Sequence, residues 1–311
     1  MKLTRAFAFL LLALAGATAL AAGDDAPAQG AGAALYVSKD NENFYTQRIA
    51  AEYLPRFNHG DSLTGVRYTD HYYTQGDWSR RGQQVSLIHR DIDPATANGW
   101  QLDTGVFQQG GHTMLTLDGN YRRPLAERTA VEFFVDREWV ETQAALDKGI
   151  NFTFVGGVVE QGLGQHVTVL GVAGYQDFND GNSRNHGRVR VIYQPDLDLG
   201  LTLQARYRVY TSSKDDVGGA YFNPDRYDET MLAVTYRKRF MRWTAFAIAG
   251  AGRQHVAEDP WTPTRLYEAW VLSPPVHAYS FRARAGYNQS ANFNGPDYRY
   301  HYLLGELIIG F

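Results

Sequence analysis

The chain has 311 residues, and its 30 lysines and arginines against 33 aspartates and glutamates give a net charge of −3, which argues against a nucleic-acid partner. It has no cysteine, so disulfides and thiolate metal sites are excluded. Mean hydropathy is −0.38, and beyond the N-terminal region no run of about 18 apolar residues exists that could form a membrane-spanning helix. With 20 Tyr, 16 Phe, 6 Trp and 31 Gly, the composition suits a wall that is half wet and half oily.

Met1 to Arg5 is basic, Ala6 to Leu14 is apolar, and Ala19-Leu20-Ala21 forms an A-x-A site, so residues 1–21 read as a secretory signal peptide. Export past the inner membrane follows. Residues 22–32 are small and polar and read as a flexible periplasmic segment leading into a barrel domain over 33–311. From there on, alternating segments of roughly ten residues are separated by turn chemistry. They fall at 33–40, 43–56, 62–76, 80–92, 99–109, 112–122, 128–140, 149–160, 165–177, 186–194, 199–211, 226–239, 242–254, 263–273, 276–288 and 298–311. That makes sixteen strands, with fourteen and eighteen as alternatives.

The last segment carries the plainest signal. Leu303, Gly305, Leu307, Ile309 and Phe311 share one face, and Tyr300, Tyr302 and Glu306 the other. An apolar face closing on a terminal phenylalanine is how an outer-membrane strand ends, and Phe311 is the signal by which barrel-assembly machinery would take the chain. The expected fold is therefore all-β: a transmembrane, antiparallel, up-and-down outer-membrane β-barrel of a Gram-negative cell. No interface strand announces itself, so a monomer is expected.

Alternation divides the remaining strands into faces. Val131, Phe133, Val135 and Trp139 are expected toward lipid, which puts Glu132, Phe134, Asp136 and Glu138 in the lumen with Asp103 and Asp118 from the two preceding strands. Farther along, Arg188, Arg190, Arg206, Arg208, Arg282 and Arg284 are expected inside. Segments 226–239 and 263–273 alternate too weakly for a face to be assigned. Acidic and basic walls in one lumen have two physical readings: ion-pair ladders that hold or plug the wall, or a transverse field that orients a polar solute. A cylinder of this strand number is wide enough for an aqueous channel.

Before segment 226–239 stands Tyr221-Phe222-Asn223-Pro224. This signature resembles that of the outer-membrane barrel domains of bacterial exopolysaccharide exporters, notably those for poly-N-acetylglucosamine and cellulose. Such exporters carry a long periplasmic tetratricopeptide-repeat superhelix, whereas about ten residues separate the cleavage site from the first strand here; stand-alone barrels similar to the YaiO type match that layout better. The resemblance implies a pore for a polysaccharide, with any periplasmic scaffold on another chain. Phe134, Tyr298, Tyr300 and Tyr302 would then offer faces for sugar rings to stack on, and the acidic wall would bind hydroxyls. Read without it, the motif packs a loop on the barrel rim. A general or sugar-selective porin, or a structural barrel without throughput, are the alternatives.

No enzyme is expected. Asn58-His59-Gly60-Asp61-Ser62 holds His, Asp and Ser, but adjacency along a turn does not orient a base between nucleophile and acid. Asp177 to Asn182 lacks calcium-loop spacing, the histidines stand singly, and no cofactor or metal is expected.

Overall fold

The computed structural model describes residues 29–196 and 198–311; the signal segment and most of the expected leader lie outside the described residues. Sixteen antiparallel strands close into one barrel. The first eight are β1 (Gly30–Asp40), β2 (Tyr45–His59), β3 (Ser62–Gln75), β4 (Trp78–Ile92), β5 (Gly99–Gln109), β6 (His112–Ala126), β7 (Thr129–Trp139) and β8 (Asn151–Leu163). The second eight are β9 (Val167–Phe178), β10 (Ser183–Asp196), β11 (Leu201–Ser212), β12 (Arg226–Phe240), β13 (Trp243–Val256), β14 (Thr262–Leu272), β15 (Tyr279–Gln289) and β16 (Arg299–Gly310). Each pairs with its chain neighbours, and β1 pairs with β16 from Gly30↔Gly310 to Asp40↔Tyr300, leaving no free edge. β1 starts at Gly30, so the last residues of the expected leader are already paired strand.

Alternation explains the two surfaces. Outward positions carry Leu87, Leu115, Phe133 and Leu232 at 61–70% exposure, a burial state that only a hydrocarbon environment satisfies for so many large apolar groups. Gly30 and Gly310 lie at one end with the short turns at Gly60-Asp61 and Glu127-Arg128, which by the rule for these barrels is the periplasmic end. The opposite, extracellular end carries the long connections at 140–150, 213–225 and 290–298.

Three departures from simple alternation have physical causes. First, Met231, Ala233, Ile248 and Leu266 form an apolar cluster on the inner wall of β12 to β14, with Trp270 packed on it. Both faces there are apolar, which is why the sequence of those strands shows no period. Second, Trp139 does not face lipid. β7 pairs with β6 only as far as Leu117↔Arg137 while staying paired with β8 to Trp139↔Asn151, and Trp139 is buried with Phe44, Tyr73, Phe107, Met114 and Leu146. Third, the connection that follows is not a plain loop but a short helix, α1 (Gln143–Lys148), capped by the Thr142 side chain accepting from the Ala145 amide and ended by Gly149 at φ 66°. Its Ala145 and Leu146 are fully buried in the mouth of the barrel.

Candidate functional site

The lumen is divided into a lower part, where the charges are paired, and an upper part, where several are not. Toward the periplasm, Arg67 donates to Glu52 at 2.7 Å and to Asp103 at 2.6 Å. Glu306 lies 3.3 Å from Arg90 and 3.2 Å from Arg282, whose guanidinium also reaches Asp61 at 3.5 Å. Arg284 pairs with Glu268 at 2.8 Å, and Tyr302 donates to the same carboxylate. Of these groups, Glu52, Arg67, Arg90 and Glu268 were not assigned to the lumen from the sequence. The signal for Arg67 and Arg90 was present, because outward Val66 and Val85 fix their strands' faces.

Above this network Arg48 pairs with Glu141 at 2.5 Å, and the other charges stand in rows of one sign, several of them unpaired. Asp103, Asp118 and Asp136 are directly opposite one another on β5, β6 and β7. Asp118, Asp136 and Glu138 have no hydrogen bond or ion pair with any described residue. Glu132, lower on β7, accepts from Asn120 at 2.9 Å. On the facing wall Arg188 is opposite Arg208 and Arg190 opposite Arg206. Arg208 pairs with Glu229 at 2.8 Å and Arg206 donates to Gln204 at 2.7 Å, but Arg188 and Arg190 are exposed and unpartnered among the described residues. Like charges directly across a strand pair cost about 0.2–1 kcal/mol each. Asp136, Glu138 and Arg188 line one cavity of about 340 Å³; Asp103, Asp118, Arg282 and Arg284 line a second of about 720 Å³.

Aromatic rings run down the same lumen. Tyr298 stands 5.4 Å from Tyr300, Tyr300 is 5.9 Å from Tyr302, and Tyr302 stacks 6.2 Å from Tyr36 of β1. Tyr298 precedes β16 rather than lying in it, and with Tyr300 it lines the smaller cavity. Tyr302 lies flat on the wall because its cross-strand partner is Gly286, where a Cβ would fall 2.5 Å from the ring. Phe134 rests in the same way over Gly156 and packs 5.0 Å from Phe154.

The Tyr221-Phe222-Asn223-Pro224 motif is placed at the extracellular mouth. Tyr221 stacks 4.9 Å from Phe178 at 11°, donates to Asp180 at 3.0 Å and accepts from Asn182 at 3.0 Å. Burial raises its hydroxyl above the ordinary tyrosine value, with the Asp180 carboxylate adding to the effect, so the donor stays protonated. Asn223 accepts from Asn182 at 2.7 Å and donates to the Lys214 carbonyl at 2.7 Å. Arg184 sits among Phe178, Tyr210, Tyr221 and Phe293, its guanidinium 5.0 Å from the Tyr210 ring centre, and donates to the Phe222 carbonyl. Val140, Ala145, Ile150, Phe152 and Ala220 complete this cluster, so the motif pins the 213–225 loop against α1.

No family model matches the chain, and no curated protein matches it. Among solved structures it is similar to a bacterial polysaccharide outer membrane secretin, with a TM-score of 0.65 at 11% identity over 93% of this chain and 100% of that one. It is also similar to OprD from Pseudomonas aeruginosa, with a TM-score of 0.46 at 12% identity over 91% and 94%. CdiB from Acinetobacter baumannii gives 0.46 at 10% identity over 90% and 60%. At these identities the shared property is the fold, that of the outer-membrane β-barrel.

Proposed function

We propose that this protein is an outer-membrane pore whose lumen passes a carbohydrate polymer, with the extracellular mouth held shut by its own inward-folded loops. The observation that carries this reading is the upper lumen. Unpaired carboxylates share a cavity with the unpaired Arg188 guanidinium, beside a row of four tyrosines. Sugar rings present apolar faces for aromatic contact and hydroxyls for charged and polar groups, and this lumen offers both along one path. The unpaired rows favour the transverse field over the ladder in the upper half, while the ladder describes the lower half. The fold shared with a polysaccharide secretin supports the same choice of substrate class. A general diffusion porin would conduct without any change at the mouth, and that difference separates the two readings.

The test is planar-bilayer conductance of the refolded chain beside a variant lacking residues 213–225. The intact protein is expected to give small or rare openings and the variant large ones that neutral or charged oligosaccharides block. Arg188→Glu with Arg190→Glu in the open variant should turn its ion preference toward cations. Absence of channel events in both proteins would sink the pore, and large constitutive openings in the intact chain would favour the general porin. Deleting the gene should reduce secreted polysaccharide and leave small-sugar uptake unchanged.

A further inference from the structure

The outer face of the barrel, apart from the lumen, is built unevenly around its extracellular rim. On β13, β14, β16 and β1 the outward position just above the apolar band is occupied by a cation: Arg253, Arg265, Arg299 and Lys39, all exposed. The register fixes their height. Arg265 is opposite Ala251 and two residues above Tyr267, which is 49% exposed and packs 6.1 Å from Tyr287 in an interfacial girdle. Arg299 and His301 stand directly above Leu303, 47% exposed, and His301 is opposite Lys39. None of the four cations forms an ion pair with a described residue, in contrast to Arg226, which is held by Asp228 at 2.6 Å. The corresponding positions from β5 to β10 are Gln108, Thr113, Arg137, Thr153, Asp177 and Asn185, where the single cation, Arg137, is held by the Leu115 carbonyl and by the Thr153 hydroxyl at 2.6 Å.

We infer that this arc is a binding surface for an outer-leaflet glycolipid that carries phosphate groups immediately above several acyl chains. The apolar band below takes the chains, the tyrosine girdle marks the interface, and the cations stand where such phosphates lie. Neighbouring strands are about 4.8 Å apart, so the arc from β13 to β1 spans about 20 Å, room for more than one phosphate of a single headgroup or of adjacent ones. Arginine supplies a planar fork matched to phosphate oxygens, and three of the four cations are arginine. A phosphate so close to the hydrocarbon boundary is screened less than one in bulk water, which favours the pairing. The inference does not depend on whether the lumen conducts.

The full chain, purified in detergent and checked for folding by heat-modifiable gel migration, is mixed with bisphosphorylated lipid A or with chemically dephosphorylated lipid A. Retention is then read by native mass spectrometry. Bisphosphorylated lipid is expected to be retained at least tenfold more tightly than the dephosphorylated form, and Lys39→Gln/Arg253→Gln/Arg265→Gln/Arg299→Gln should abolish that preference. If the quadruple variant does not fold, Arg265→Gln/Arg299→Gln and a salt titration of the wild type replace it, with retention expected to fall as salt rises. Equal retention of both lipids by the wild type, or an unchanged preference in the variants, overturns the inference. So does a dimer of the wild type that the variants lose without any change in lipid binding, since the arc would then be an interface between copies.

Discussion

The lower and upper halves of the lumen use the same residue types to opposite ends. Below, Glu306 is shared by Arg90 and Arg282, and Arg67 is shared by Glu52 and Asp103, so each charge is compensated and the wall is tied across strands distant in sequence. Above, Asp118, Asp136, Glu138, Arg188 and Arg190 have no such partners, and all of them but Glu138, which is opposite Phe152, have a neighbour of the same sign across the sheet. An interior selected for stability alone would have interleaved the signs. The cost kept in the upper half fits the proposed passage of a polar solute, whereas the paired charges of the lower half tie the wall together.

The largest effect should come from breaking the lower half. Glu306→Ala leaves Arg90 uncompensated in a buried setting and Arg282 with Asp61 alone, and should destabilise the barrel by about 3–5 kcal/mol, read from urea unfolding in lipid vesicles. An unchanged midpoint would remove the distinction between the halves. Next, Tyr221→Ala removes a stacked ring and two buried hydrogen bonds at the mouth. It should cost about 3 kcal/mol locally, freeing the 213–225 loop to protease and raising conductance while barrel unfolding stays near wild type. The smallest effect belongs to the upper half itself. Asp118→Asn relieves like-charge opposition and should be neutral or stabilising by up to about 1 kcal/mol, yet shift the open variant's ion preference toward anions. A clear loss of stability there would mean that Asp118 is structural after all.

Much of the barrel is legible in the sequence. Leu115, Leu117 and Tyr121 alternate with Asp118, and Val189, Val191 and Tyr193 with Arg188 and Arg190, because each of those strands has lipid on one side and water on the other. Legibility failed where that contrast disappears. On β12 and β14, Met231 and Leu266 put apolar groups on the wet side as well, to pack against each other. Trp139 follows the period of its strand in the sequence, but the pairing of β7 with β6 ends at Arg137 while that with β8 continues, and the end of one ladder has no local code. The helix at Gln143–Lys148 is too short for a 3.6-residue period to show, and it is held by its burial under Gln109, which donates to the Leu146 carbonyl at 3.0 Å. Which carboxylate meets which guanidinium depends on pairings between strands far apart in the chain, as with Arg90 and Glu306, and alternation gives only the face.

The seam between β1 and β16 governs the order in which this molecule can form. Every other strand pair joins chain neighbours, but the eleven-residue ladder from Gly30↔Gly310 to Asp40↔Tyr300 couples the two extremes of the barrel. Hairpins can zip locally and early, whereas that closure pays the loop entropy of the whole sheet at once. Until it happens, both terminal strands are open templates for pairing with other chains. By loop entropy alone, closure is therefore the costliest pairing and the last to form.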